Sequence, residues 1–302
     1  MPKSVSESGK TVDPSRNEGA YWAIMLLANF RRIGTKWQVK NIPSWPSGAP
    51  SRREFLRQKL TSIVAIYIIL DVLSSGPPPD ANVVGIRNQV LLLRIPELTS
   101  DELIFRVIAV TVYWINTYLF NLFMIEVASF VSVLTGITTP DQCRPLYGPI
   151  KEAWSIRQFW GTSWHQMFRR GIQGISDLAN DAFFIPRGTL LSRYFRLTVS
   201  FAISGLIHFS ADMSMRIPLA EAGSMAFFLA QPLGIMIEDA VQHVYKKQGI
   251  KFLRGYEHIL GYVWLIAFQL WITPTWFYPP IRHMNPEKDG LLPFSLVSAI
   301  FS

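Results

Sequence analysis

A chain of 302 residues that is 49% hydrophobic and only 17% charged is too apolar for an ordinary soluble domain, in which about a quarter of residues carry charge. Its single cysteine, Cys143, excludes an internal disulfide and a cysteine-rich zinc cluster. The net charge of +8 admits nucleic acid, anionic lipid or the cytoplasmic-loop bias of membrane proteins, and the placement of the charges chooses the last.

Residues 1–30 read as a disordered polar tail followed by a short apolar segment, 21–30, which is too short for a signal-peptide core and suits an interfacial helix or the tail of a span. Residues 31–59 are basic, with Arg31, Arg32, Lys36, Lys40, Arg52, Arg53, Arg57 and Lys59 against one acid, Glu54. Pro43, Pro46 and Pro50 keep the middle of that stretch from being helical. A first, short span is predicted at 60–73 and a long one within 103–134. Its uncharged middle, 107–125, is long enough to cross about 30 Å of hydrocarbon. Residues 136–193 form a polar centre rich in Arg and aromatic side chains. Apolar runs follow at 194–211, 219–237 and 258–277, and a short apolar segment closes the chain.

Placing 31–59 on the inner side sends 74–102, 212–218 and 278–290 outside and brings 136–193 and 240–257 inside. Every basic loop then falls on one side. The predicted fold class is therefore all-α: a polytopic membrane helix bundle of about five to six spanning helices, with amphipathic or re-entrant cytosolic segments. Residues 31–302 are expected to form a single membrane-embedded domain.

Two histidines stand in unusual settings. His208 lies inside the apolar run 194–211, where an ionisable group is costly and is usually kept for function. The competing reading is a hydrogen bond between helices. Ser204 and Gly205 precede it and allow close approach of another helix or a ligand. Asp212, one turn on, shares its face and either orients the imidazole or marks the end of the span. His165 lies in FWGTSWHQMFRR, where residues 160, 164, 167 and 168 share a helical face; composition alone gives an amphipathic interfacial helix. His243, His258 and His283 read as solvated groups at the ends of spans, as do Glu238 and Asp239, and no metal site is predicted.

FWGTSWHQMFRR resembles the FWxxxWHQxxR signature of wax synthase-like acyltransferases, a branch of the membrane-bound O-acyltransferase superfamily. SGLIHFSAD is similar to that branch's second motif, and FRRIGTKWQVKNIP to an element written RGIGWxW in fungal members. The resemblance covers about residues 30–280. Thr35-Lys36 departs from the third element, and relatives carry further spans upstream of it, so a compact form or an incomplete N-terminus is expected.

The resemblance implies that His208 is the catalytic histidine and that His165, with Trp164 and Gln166 beside it, serves the acyl-CoA site. A histidine is suited to accept the proton of an alcohol attacking a thioester. His165 or Gln166 is suited to donate to the oxyanion, provided that 159–170 folds into the bundle. Arg157, Arg169 and Arg170 are suited to the phosphates of CoA. No nucleophilic Ser or Cys motif is present, so direct transfer without an acyl-enzyme is expected. The expected reaction moves an acyl group, acetyl by analogy with fungal relatives, from acyl-CoA to a hydroxyl of a hydrophobic terpenoid or meroterpenoid in the endoplasmic reticulum or another endomembrane. Acetyl-CoA is then a co-substrate rather than a bound cofactor. The bilayer is the surrounding partner, no nucleic acid is expected, and the oligomeric state is open. The alternatives are a wax ester or sterol ester synthase, a transporter, and an integral membrane terpene cyclase using Glu126, Glu221, Glu238 or Asp239 as its acid.

Overall fold

The computed structural model describes residues 4–5, 11–12, 29–77, 79–90, 94–249, 255–284 and 292–301. Apart from an antiparallel pair of two-residue strands, Ser4–Val5 and Thr11–Val12, the regular structure among these residues is helical. The remaining expectations for the tail, and for the apolar segment up to residue 28, lie outside the described residues.

Six long helices make the bundle: α1 (Arg52–Ser74), α2 (Ser100–Leu134), α3 (Arg169–Ala182), α4 (Leu190–Ser214), α5 (Ser224–Lys247) and α6 (Tyr256–His283). Local chemistry sets their starts. Ser51, Thr99 and Thr189 each accept a backbone N–H from the first turn of α1, α2 and α4. Asp101 and Glu102 add negative charge at the N-terminal end of α2. The N-terminus of α5 is capped from another helix: the Asp212 carboxylate of α4 accepts from the Ser224 N–H at 3.3 Å.

Four of these helices, α2, α4, α5 and α6, are long and apolar enough to cross a membrane, rather than the five to six expected. Helix α1 falls short because five of its first eight residues, Arg52, Arg53, Glu54, Arg57 and Lys59, are charged. The apolar remainder, 60–73, extends only about 21 Å at 1.5 Å per residue. The C-terminal helix, Leu296–Phe301, has six residues and packs on α1. Leu206, Leu233, Val241, Ile259 and Val263 are exposed on the outside of the bundle, as spans facing lipid require.

The two ends of the bundle differ in charge as the sequence requires. At one end the basic strap 31–51 packs on the polar centre: Arg31 donates to the Arg144 and Pro145 carbonyls at 2.5 Å, and Asn41 donates to the Gly161 carbonyl at 2.9 Å. Burial pulls the Arg31 guanidinium down to about 10, which leaves it charged at neutral pH. Helix α1 then runs antiparallel to α2, with Arg52 on the carbonyls of Val133 and Leu134 and Lys59 paired with Glu126 at 2.5 Å. At the opposite end Arg282 binds Glu221, Gln89 and the Val84 carbonyl.

Helix α6 contains Pro274, Pro279 and Pro280. Each removes an N–H and orphans a carbonyl four residues earlier. Two of the three are repaired by side chains. Arg106, fully buried on α2, donates to the Leu270 carbonyl at 3.2 Å, and also to the carbonyls of Trp271 and Asn88. Gln89 donates to the Thr275 carbonyl at 2.9 Å. Helix α6 presents Trp276 inward, against His208, Phe227 and Phe228.

Candidate active site

The segment 159–170 is not the continuous amphipathic helix its periodicity predicts. After a single turn, Ile156–Gln158, the chain widens into a π-helical turn, Phe159–Ser163, closed by the Trp164 N–H on the Phe159 carbonyl at 2.7 Å. Trp164 is then extended, and helix resumes only at Arg169. The aromatic face goes into the bundle instead of lipid: Trp164 packs edge-on against Trp114, and Trp160 against Phe201. The amphipathic helix of this region is α3, whose Ile175 and Leu178 are exposed.

Two carboxylates read as solvated from the sequence hold this turn in place. Glu238 of α5 is buried and accepts from the Ile156 and Arg157 N–H groups at 2.6 and 3.2 Å, capping the N-terminus of the turn. Asp239 binds the Arg157 side chain at 2.5 Å, Arg193 at 3.1 Å and the Tyr194 hydroxyl at 2.9 Å. Both lie one span away in sequence, so no local pattern announces the pairing.

His165 and His208 line one cavity of about 390 Å³. Its walls come from the π-turn segment, from α2 (Trp114, Thr117, Asn121), from α4 (Leu197, Ser200, Phe201, Ser204, Ile207), and from Phe228 and Trp276. His208 stacks on Phe228 with ring centroids 4.4 Å apart and meets Trp276 edge-on at 4.9 Å. Its Nδ1 lies 2.8 Å from the Ser204 carbonyl. A carbonyl only accepts, so Nδ1 of the neutral ring carries the proton and the Nε2 lone pair is free. The orienting partner is thus a backbone carbonyl one turn back, and Asp212 instead serves the α5 cap. Gly205 lets α5 come close: a Cβ there would lie 2.8 Å from Met225 Sδ and 3.3 Å from Phe228 Cβ.

His165 packs against Tyr147 and Trp164, and its Nδ1 is buried without a partner. Burial, with a smaller contribution from nearby His208, lowers its pKa to about 4, so the ring is neutral at physiological pH. Gln166 is committed to the fold: its Nε2 donates to the Trp160 and Trp164 carbonyls at 2.9 and 2.6 Å, and its Oε1 accepts from Arg169. Arg169 also donates to the Gly161 carbonyl at 2.8 Å. Arg157 reaches the cavity wall but is tied to Asp239, whereas Arg170 is exposed and lies off the cavity. Of the residues singled out from the sequence, His165, Trp164, Gln166, Arg157, Arg169 and His208 are therefore brought together, and Arg170 stands apart. Trp114, Thr117 and Asn121 were missed. Their i, i+3, i+7 spacing in an otherwise apolar run is the signal that marks one face of α2.

The carboxylates that a cyclase would need do not line the cavity. Glu126 is paired with Lys59, Glu221 with Arg282 and His283, Glu238 with backbone N–H groups, and Asp239 with two arginines.

The fold is thus a helical membrane bundle that holds His165 and His208 on one cavity. A sequence profile described as the Membrane bound O-acyl transferase family matches residues 143–230, which include both histidines. Acetyltransferase ataH of Aspergillus terreus is 33% identical over 279 residues, covering 89% of this chain and 92% of the relative. Acetyltransferase pyr8 of Aspergillus fumigatus is 31% identical over 295 residues, covering 92% and 68%. Acetyltransferase aurG of Calcarisporium arbuscula is 26% identical over 298 residues, covering 96% and 72%. No solved structure matches the chain. The chain belongs to the membrane bound O-acyl transferase family and is a membrane acyltransferase.

Proposed function

We propose that this protein transfers an acetyl group from acetyl-CoA to a hydroxyl of a hydrophobic terpenoid or meroterpenoid acceptor, in the endoplasmic reticulum or another endomembrane. The observation that carries this reading is the Nδ1–Ser204 hydrogen bond of His208, which leaves Nε2 as the ring's proton acceptor at a residue that lines one cavity with His165. In the mechanism we infer, Nε2 takes the proton of the acceptor hydroxyl as its oxygen attacks the thioester carbonyl. The C–O bond forms and the carbonyl becomes an oxyanion, stabilised by neutral His165 as hydrogen-bond donor. The C–S bond then breaks, the carbonyl re-forms, and the CoA sulfur takes the proton from His208 Nε2 and leaves as the thiol, which restores the neutral base. His165 suits the donor role better than Gln166, whose amide hydrogens are spent on main-chain carbonyls. The CoA phosphates are assigned to the basic end of the bundle, where Arg170 is exposed and Arg157 reaches the cavity. The names of the relatives, all acetyltransferases, support acetyl as the group moved. A hydrophobic acceptor fits a cavity walled by membrane spans.

The test is transfer of labelled acetyl-CoA, and separately palmitoyl-CoA, to a panel of hydroxylated terpenoids, sterols and fatty alcohols in microsomes carrying wild type or His208→Ala. Equal membrane insertion is checked for both. Acetyl transfer by wild type that falls at least about 100-fold in His208→Ala is expected. Equal transfer by both proteins would remove His208 as the base. Preference for palmitoyl-CoA would turn the reading toward wax or sterol ester synthesis.

A further inference from the structure

The cavity carries two polar rows that the transfer mechanism does not use. On α2, Thr117 and Asn121 lie one turn apart and both face it. On α4, Ser200 and Ser204 continue the face that ends in His208, at i, i+4 and i+8. Helices α2 and α4 do not pack extensively on each other, and both rows line the cavity.

The hydrogens of these groups are largely spent within their own helices. Thr117 Oγ1 donates to the Tyr113 carbonyl at 2.8 Å, and Ser204 Oγ donates to the Ser200 carbonyl at 3.1 Å. Asn121 Nδ2 donates to the Thr117 carbonyl at 2.9 Å. A hydroxyl has one proton and two lone pairs. With the proton turned into the helix, what Thr117 and Ser204 offer the cavity is acceptor capacity. Asn121 adds a carbonyl oxygen, Oδ1. The chemical complement of such a wall is a ligand that donates, which in a hydrophobic molecule means a free hydroxyl. A purely hydrocarbon surface pressed there would strip water from these acceptors and give nothing back.

We propose that the acceptor is a hydrophobic scaffold with at least two hydroxyls: one at His208 Nε2, where it is acylated, and a second that donates to the Thr117–Asn121 row and fixes the scaffold's orientation. This rests on the acyltransferase reading above and narrows its substrate class to diols and polyols, against simple fatty alcohols and mono-hydroxy sterols. Thr117 and Asn121 act as specificity-determining residues in this arrangement, because they hold the second hydroxyl and not the one that reacts.

The test uses microsomes carrying the full chain, labelled acetyl-CoA and matched acceptors: polycyclic terpenoid diols and the mono-ols that lack the second hydroxyl. Wild type is expected to favour a diol over its mono-ol by roughly 10- to 100-fold in kcat/KM. Thr117→Val combined with Asn121→Leu is expected to collapse that ratio to within about threefold, mainly through KM for the diol. Thr117→Ser, which keeps the hydroxyl, is expected to retain it. A ratio near one in wild type, or a ratio that survives the double variant, overturns the inference and leaves the acyltransferase reading standing. Absence of acetyl transfer to any alcohol by inserted wild type overturns both.

Discussion

His165 is a buried imidazole whose Nδ1 lacks a partner and whose pKa of about 4 lies below the ordinary value of 6.5. Between those values the unfolded chain binds a proton at this residue and the folded chain does not. Stability therefore rises with pH across that window and is lost as pH falls through it. The contribution is on the order of 3 kcal/mol. His165→Gln is expected to be less acid-sensitive: its melting temperature in detergent should fall less than that of wild type between about pH 6.5 and pH 4. An identical pH dependence in both proteins would show that the buried imidazole does not drive the loss. The same low pKa keeps His165 from contributing a kinetic inflection near neutrality, so any such inflection in kcat/KM belongs to another group of the site. The motifs singled out His165 and His208, and the fold brings both to one cavity. Their partners were less so: the Ser204 carbonyl that orients His208 is a backbone atom, and no side-chain pattern advertises it.

At the scale of elements, the prolines of α6 and the cation of α2 form one device. Pro274 orphans the Leu270 carbonyl, and Arg106, buried to 0% exposure, takes it. Removing the guanidinium leaves carbonyls unpaired in an apolar bundle and Glu102 with one cation fewer. Arg106→Leu is expected to cost about 2–4 kcal/mol and to lower the folded yield. Restoring the backbone N–H with Pro274→Ala is expected to recover part of that loss in the double variant, because the Leu270 carbonyl then finds its intrahelical partner. Strictly additive losses in a double-mutant cycle of melting temperatures would show that the two residues are uncoupled. The helices themselves follow from apolar runs and capping residues, and the apolar runs overlap all four spans, although α5 runs on to Lys247, ten residues past its apolar run 219–237. The π-turn at Phe159–Ser163 does not follow from periodicity, because a helix-period pattern of aromatic residues reads the same whether it faces lipid or folds inward.

For the whole molecule, charge sorts the two ends. The strap 31–51 lies with the polar centre, where Asn41 meets Gly161, and the start of α6 joins them, where His258 stacks on Trp154 at 4.7 Å. The loops holding Val84, Gln89, Glu221 and Arg282 gather at the other end. With Cys143 replaced by Ser, single cysteines at Lys40 and Lys247 are expected to react with a membrane-impermeant maleimide from the cytosolic side of sealed microsomes. Single cysteines at Asp80 and Arg216 should react only after permeabilisation. All four positions are exposed in the fold. Labelling of Lys40 and Asp80 from the same side would overturn the orientation. Because the strap contacts the polar centre directly, the outcome for Lys40 does not depend on whether α1 itself crosses.

What the sequence determined by itself is what short-range composition encodes: a polytopic helical membrane protein, the clustering of its basic residues in particular loops, and two histidines in motif settings. These depend on runs, spacing and charge within single segments. The tertiary structure decided which buried polar groups meet across distant segments. Glu238 caps a helix some eighty residues earlier, Arg106 and Gln89 repair the carbonyls orphaned in α6, and Thr117 and Asn121 line one cavity with Ser204 and His208. Desolvation makes an unpaired polar group costly and a buried hydrogen bond strong, and desolvation exists only once the helices have packed. The identity of those partners is therefore a property of the folded bundle.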